Sequence, residues 1–320
     1  MSRPPVAFVS HPACLLHSNG AGHPERPERL PAIRDHLEAT GLLRRLLRME
    51  SPEACPTERL LRVHGAAHIE RVRRACDRAP AMLDPDTAVS SGSWEAALRS
   101  AGAALLACDA VIEGRAASAF VATRPPGHHA ESDRAMGFCL FNNAAIAARY
   151  LQDRHRLARV FIIDWDVHHG NGTQQIFEAD DTVFYFSTHQ FPFYPGSGAG
   201  SETGRGAGAG FTLNVPLAAG SGDAVYLDVF ETILVPALER FRPDAILISA
   251  GFDAHADDPL AGMMLTSGGY GKLTAIVREA ADHLCGGRIV SLLEGGYDLK
   301  ALGASVAAHL TALANARTGS

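Results

Sequence analysis

Residues 164–172 read DWDVHHGNG and follow directly on the apolar run VFII at 160–163. Asp164, Asp166, His168 and His169 place four titratable groups in six positions where a buried strand would end. Such groups are rarely taken out of water unless they are paired or bind a metal. On an extended backbone Asp166 and His168, two apart, point to the same side. Asp253, in AGFDAH (250–255), offers a further carboxylate. One histidine with two carboxylates leaves an open coordination position, as a catalytic zinc site requires. No cysteine stands in either motif, which argues against a thiolate-built structural zinc site. For an isolated Asp-x-His pair the alternative is a hydrogen-bonded strand end.

His128 and His129 are adjacent in RPPGHH (124–129). Neighbouring side chains on an extended backbone diverge, so one metal cannot readily take both. They suit proton transfer instead, each with its own partner. Asp164 and Asn171 are left over from the metal set and could be those partners. A carboxylate raises the pKa of its imidazole, whereas an amide orients a ring without adding charge. Tyr297, in LEGGYD (293–298), can bring a hydroxyl to a polarised carbonyl, and Gly295 and Gly296 allow close approach of backbone and ligand. H-E-x-x-H and G-x-S-x-G are both absent, which argues against a zincin protease and a serine hydrolase.

Something must bring these motifs together. Short continuous runs of strand character occur at 6–9, 119–122, 160–163, 183–186, 245–249 and 289–293, as expected for strands covered on both faces. Helical patterns lie between them at 28–39, 58–75, 93–113, 142–153, 223–240, 270–284 and 298–314, with Asn142 and Asp223 as expected N-caps. The alternation predicts one α/β domain over 1–320, built on a parallel sheet with helices on both faces. Ligands of such sheets bind beyond the carboxyl ends of the strands. RPPGHH, DWDVHHGNG, STH (187–189), AGFDAH and EGGY (294–297) each follow one of these runs. The glycine-rich segment 196–210 lacks a phosphate-loop register and opens no helix, so a flexible surface loop is expected there.

Composition sets the bounds. The chain has 320 residues, 47% hydrophobic and 20% charged, long enough to bury a core without staples. A net charge of −6 argues against a nucleic-acid partner. No run reaches the 18 apolar residues of a membrane span, and the N-terminus lacks a signal-peptide core. Six cysteines with no C-x-x-C pair point to free thiols and a cytoplasmic location.

RPPGHH, GFCLFNN, DWDVHHGNG, YPGSG, SAGFDAHADDPLAG and LEGGYD together closely resemble the histone deacetylase family, which includes acetylpolyamine amidohydrolases and bacterial deacetylase-like amidohydrolases. The match runs from about HPERPERL, starting at His23, to Tyr297, and Trp165 and Asn171 resemble its class II side. The resemblance implies the arginase–deacetylase fold, with a single eight-stranded parallel sheet. It implies one zinc held by Asp166, His168 and Asp253, with His128, His129, Asp164, Asn171 and Tyr297 as catalytic residues. It further implies a narrow acyl-lysine tunnel with Gly137 and Phe138 on one wall and Tyr194 on the other, and a rim aspartate, Asp86, that grips the substrate backbone. Potassium is implied at Asp164, Asp166, His168, Ser187 and Thr188, and at a second site of Phe177, Asp180, Val183 and Phe211. Leu260 stands where polyamine-specific members can carry a glutamate, which takes support from a polyamine substrate.

The expected reaction is hydrolysis of an acylated amine, an N-acetyl-lysine side chain first, on a protein, peptide or small amine substrate. Zinc would polarise the amide carbonyl and acidify water. One of the tandem histidines, most simply His129, would take the water proton, a protonated histidine would give one to the leaving amine, and Tyr297 would donate to the oxyanion; which histidine does which is not legible in the sequence. The rivals are acetylpolyamine hydrolysis, a binuclear manganese ureohydrolase and a silent acyl-lysine binding module. Oligomeric state is not legible in the sequence.

Overall fold

The computed structural model describes residues 4–315. In chain order the first half comprises β1 (Ala7–Val9), α1 (Arg29–Ala39), β2 (Leu47–Met49), α2 (Thr57–Leu60), α3 (Ala66–Asp77), β3 (Ala81–Asp84), β4 (Thr87–Val89), α4 (Ser93–Ile112), β5 (Ala119–Val121) and α5 (Asn143–His155). The second half comprises β6 (Val160–Asp164), α6 (Asn171–Phe177), β7 (Val183–Gln190), β8 (Thr212–Leu217), α7 (Asp223–Val229), α8 (Val235–Phe241), β9 (Ala245–Ala250), α9 (Ser267–Leu284), β10 (Ile289–Leu293) and α10 (Leu299–Ala314). Eight strands form one sheet in the order β2-β1-β5-β10-β9-β6-β7-β8, every pair parallel. β3 and β4 make a separate antiparallel hairpin.

The period of two along each strand divides the core between two faces. Phe161 and Ile163 join Phe8, Phe120 and Trp165 in one apolar layer with Leu273 and Leu310 of α9 and α10. Val160 and Ile162 join Val9, Val121 and Leu247 in the other, with α4 and α5. Full burial on both faces is why these strands read as unbroken apolar runs. The five motif-bearing strands are contiguous at the centre of the sheet, as β5-β10-β9-β6-β7. Because all run the same way, their carboxyl ends meet at one edge.

Four local expectations are corrected. The 58–75 helix is two helices, α2 and α3, with Gly65 extended between them (ψ 145°). The 223–240 helix contains a π turn at Phe230–Leu234. Asn142 caps α5 by accepting the Ala145 N–H, but Gly222 is the cap of α7. Asp223 instead accepts the backbone N–H and hydroxyl of Thr266, each at 2.8 Å, tying α7 to the start of α9. The glycine-rich segment is also pinned. Glu202 takes the N–H groups of Gly198 and Ala199 and the Gln174 amide, and His189 bonds the Gly198 carbonyl at 2.8 Å.

Candidate active site

β6 delivers the central motif. Its last residue, Asp164, pairs in register with Ser187 of β7 and Ser249 of β9. Two residues on, the Asp166 carboxylate lies 3.1 Å from His168 Nδ1, and the Asp253 carboxylate, beyond the end of β9, lies 3.3 Å from the same nitrogen. All three residues are buried, and one ligand atom from each falls within 4.8 Å of the others. This is the one such cluster among the described residues. Gly295 closes the floor: a Cβ there would strike the carboxylate oxygens of both Asp253 and Asp166, and its N–H donates to Asp166 at 2.8 Å.

The charges demand a cation. Burial raises the Asp253 carboxyl to about 7, with the Asp166 charge adding to it. Burial acts the same way on Asp166, but His128 and His168 outweigh it and hold this carboxyl below its ordinary range. The two carboxylates lift His168 to about 10 against its burial. Asp253 Oδ2 is buried with no hydrogen-bond partner. Asp253 Oδ2 thus has a charged neighbour in His168 but no hydrogen bond, and a divalent ion on these one nitrogen and two oxygen ligands would supply the missing partner. The donor set therefore fits zinc.

The tandem histidines separate as their partners dictate. His128 Nδ1 meets Asp164 Oδ2 at 3.1 Å, and Tyr185 donates its hydroxyl to the same oxygen at 3.1 Å. His129 Nδ1 meets Asn171 Oδ1 at 2.8 Å. Burial lowers the pKa of both rings, but Asp166 and Asp164 reverse this for His128 and hold it well above its ordinary value. Burial and the neighbouring His128 and His168 hold His129 well below. Burial also raises Asp164 itself. The surroundings thus push the two adjacent imidazoles in opposite directions.

The walls follow. Gly137 (φ 57°) and Phe138 (φ 67°) turn the chain through left-handed backbone, which for phenylalanine costs about 1–3 kcal/mol. A Cβ on Gly137 would strike the His129 ring. The turn is held by Asp86, which accepts the Gly137 N–H at 3.0 Å, and by Thr87 Oγ1, which accepts the Phe138 N–H at 3.0 Å. Asp86, half-buried, thus tethers this turn through its side chain. Tyr194 lies edge-on to His129 at 5.2 Å. Tyr297 sits edge-on to Phe138 at 6.2 Å, with the Arg29 guanidinium 5.0 Å from its ring centroid. Its backbone N–H donates to Asp258 Oδ2 at 2.7 Å, while Asp258 Oδ1 takes the N–H of half-buried Leu260 at 3.0 Å. Leu260 is therefore one carboxylate away from the Tyr297 backbone. Burial and the Asp253 charge hold the Tyr297 phenol well above its ordinary pKa, so it remains a donor.

The expected potassium residues divide into two groups. Asp164, Asp166, His168, Ser187 and Thr188 surround the end of β6, where Asp164 Oδ1 takes the Asp166 N–H and the buried Thr188 hydroxyl has no partner. The unpaired hydroxyl oxygen suits a monovalent cation. Phe177 ends α6, its carbonyl taking the Asp180 N–H. Val183 opens β7, and the Phe211 carbonyl takes the Tyr185 N–H.

Several residues escaped the sequence reading. Phe193 stacks on His168 at 5.4 Å and 18°, one residue before the expected Tyr194. Glu294 Oε2 accepts the N–H groups of Gly127 and His128 at 2.7 and 3.1 Å, fixing the backbone of the tandem histidines. Arg29 donates to the carbonyls of Glu294 and Gly296 and thereby holds the loop that carries Tyr297. The links made by Glu294 and Arg29 each span over a hundred residues of sequence, and no periodicity signals them.

Comparison with known proteins agrees with this geometry. The histone deacetylase domain family matches residues 23–313. A histone deacetylase-like amidohydrolase of Pseudomonas aeruginosa is 44% identical over 310 residues, covering 91% of this chain and 81% of the relative. A probable deacetylase of Archaeoglobus fulgidus is 40% identical, covering 92% and 82%. The crystal structure of the HDA15 HD domain superposes with a TM-score of 0.93 at 39% identity, covering all of this chain and 91% of that one.

Proposed function

This chain belongs to the histone deacetylase family, and from that premise we propose that it is a zinc-dependent deacetylase that hydrolyses N-acetyl-lysine side-chain amides. The observation that carries the reading is the tandem pair His128 and His129, one bonded to the Asp164 carboxylate and the other to the Asn171 amide, beside the Asp166, His168 and Asp253 cluster. Zinc on those three residues would polarise the amide carbonyl and acidify water. His129, held neutral, accepts the proton of the attacking water as oxygen bonds to the carbonyl carbon. Tyr297 donates to the carbonyl oxygen as it gains negative charge, an interaction worth about 3 kcal/mol. The imidazolium formed on His129 returns its proton to the departing amine, and the acid proton of the acetic acid formed passes to that amine, so acetate and a lysine ammonium leave with the proton count closed. His128 keeps its charge throughout, paired with Asp164. Phe138, Phe193 and Tyr194 exclude water around the linear acyl-lysine stem. Potassium at the Asp164–Thr188 group would brace the strand end that carries the motif.

The rivals lose support. A binuclear centre would need His255 as a ligand, yet its Nδ1 accepts the Asp257 N–H and its Nε2 meets Ser267. Apolar Leu260, standing where polyamine-specific members of the family can carry a glutamate, offers no carboxylate for a distal ammonium group. The six cysteines are buried and unpaired, which fits the cytoplasm, and no described helix is long and apolar enough to cross a membrane. The test is turnover by zinc-loaded protein of an acetyl-lysine peptide and of acetylputrescine. A higher kcat/KM on the peptide is expected. Turnover of the polyamine alone would overturn the lysine assignment.

A further inference from the structure

His129 can accept a proton through Nε2 only if its own proton sits on Nδ1. Neutral imidazole carries one N–H, and which nitrogen holds it is set by the partner of the other. That partner is Asn171 Oδ1, at 2.8 Å from Nδ1. An asparagine can present either its oxygen or its NH2, so it orients a histidine only when something fixes the amide. Here the far side of the amide meets two groups that bear no hydrogen. Asn171 Nδ2 lies 2.8 Å from Glu131 Oε1 and 3.3 Å from Met136 Sδ. A carboxylate and a thioether only accept. The reversed amide would lose both bonds and point its carbonyl oxygen at a carboxylate.

We propose that Glu131 is a positioning residue that locks the Asn171 amide and, through it, the Nδ1–H tautomer of His129. The inference rests on the reading of His129 as the group that takes the proton. Glu131 is itself held in place. Its backbone N–H bonds the Arg134 carbonyl at 2.9 Å, closing a turn, and its carbonyl is bonded by His64 Nδ1 at 2.9 Å. His64 Nε2 accepts the N–H of Asn142, the cap of α5, at 2.9 Å, so the turn is anchored to a helix start. Glu131 is half-buried. A charge one residue removed from the ring thus orients His129 without touching it. Asp164, by contrast, contacts His128 directly.

The experiment is long-range 1H–15N correlation NMR on zinc-loaded protein with 15N-labelled histidine, His129 being assigned by the signal lost in His129→Gln. Wild type is expected to show Nδ1–H with a bare Nε2. In Glu131→Lys the ammonium faces the amide oxygen and turns the NH2 towards His129, so Nε2–H is expected. Glu131→Leu leaves both orientations populated. The kcat on an acetyl-lysine peptide should fall at least about ten-fold in Glu131→Lys, with KM within about two-fold and zinc content unchanged. The exchanged pair Glu131→Gln with Asn171→Asp restores Nδ1–H, because an aspartate accepts on both sides. Retention of Nδ1–H in both single variants would overturn the proposal. A changed tautomer with unchanged kcat would uphold the role of Glu131 and overturn His129 as the proton acceptor.

Discussion

Replacing Tyr297 with phenylalanine removes one oxygen and little else. The ring is placed by its edge contact with Phe138, by the Arg29 guanidinium and by the backbone N–H to Asp258, and none of these uses the hydroxyl. Zinc binding should therefore be intact, since the phenol is not among the three ligands. What is lost is one donor to the developing oxyanion in a buried site, about 10²–10³-fold in kcat, or about 3 kcal/mol of barrier. KM for an acetyl-lysine peptide should change little. The phenol is raised well above its ordinary pKa by burial and the Asp253 charge. It is therefore protonated throughout the assay range, and the deficit should be the same from about pH 6.5 to 9. The assay is steady-state acetate release by zinc-loaded wild type and Tyr297→Phe across that range, with metal content measured on the same samples. A kcat within about three-fold of wild type would refute the oxyanion role. A deficit that vanished at one end of the range would mean that the hydroxyl acts through its ionisation instead.

Alanine at Asp166, His168 or Asp253 should remove zinc and activity together; full zinc occupancy in any of these variants by metal analysis would exclude that residue as an essential ligand. Leu260→Glu should raise kcat/KM for acetylputrescine relative to an acetyl-lysine peptide about several-fold at low salt, from a partly exposed charge pair of about 1 kcal/mol or less, and the gain should shrink in added salt. An unchanged ratio would mean that tunnel shape sets the choice. Glu25, fully buried, takes Arg124, Arg29 at 3.2 Å and the Asn19 amide at 2.8 Å. Glu25→Gln strands two buried guanidinium groups and should cost about 3–5 kcal/mol in denaturant titration. Burial alone would raise the Glu25 carboxyl, but Arg124 and its neighbours hold it well below 4.5. Its contribution is therefore complete above the unfolded value of about 4.3 and is lost as pH falls towards the folded one. The wild type–variant gap should be constant from about pH 8 to 5 and shrink only below about 4. A gap that closed between pH 7 and 5 would contradict this.

The five strands that carry chemistry were legible because burial on both faces makes their runs predominantly apolar, with single serines such as Ser291 in β10 as exceptions, and because parallel strands place their carboxyl ends on one edge. DWDVHHGNG and AGFDAH could be joined on paper for that reason. The sheet margins were not legible. β2 is three residues with exposed Arg48 at its centre, and β8 alternates in burial and contains Pro216, which an edge strand tolerates. Asp223 reads as a cap by residue type, yet its carboxylate is directed at Thr266, 43 residues on. Within the site, ligand types and the partners of the tandem histidines follow from chemistry and spacing. Phe193, Glu131 and Glu294 do not. Glu131 is two residues from His129, but the group that gives it meaning, Asn171, is 40 residues away. For these side chains, position in sequence does not indicate which neighbour in space they meet.

The central claim is that one zinc ion on Asp166, His168 and Asp253 enables hydrolysis of an acetyl-lysine amide. The direct test is to strip the protein with chelator and titrate zinc back while following acetate release from an acetyl-lysine peptide. Turnover is predicted to rise linearly and level off at one zinc per chain. Saturation at two metals per chain, or no acetate release at full zinc occupancy, would contradict it.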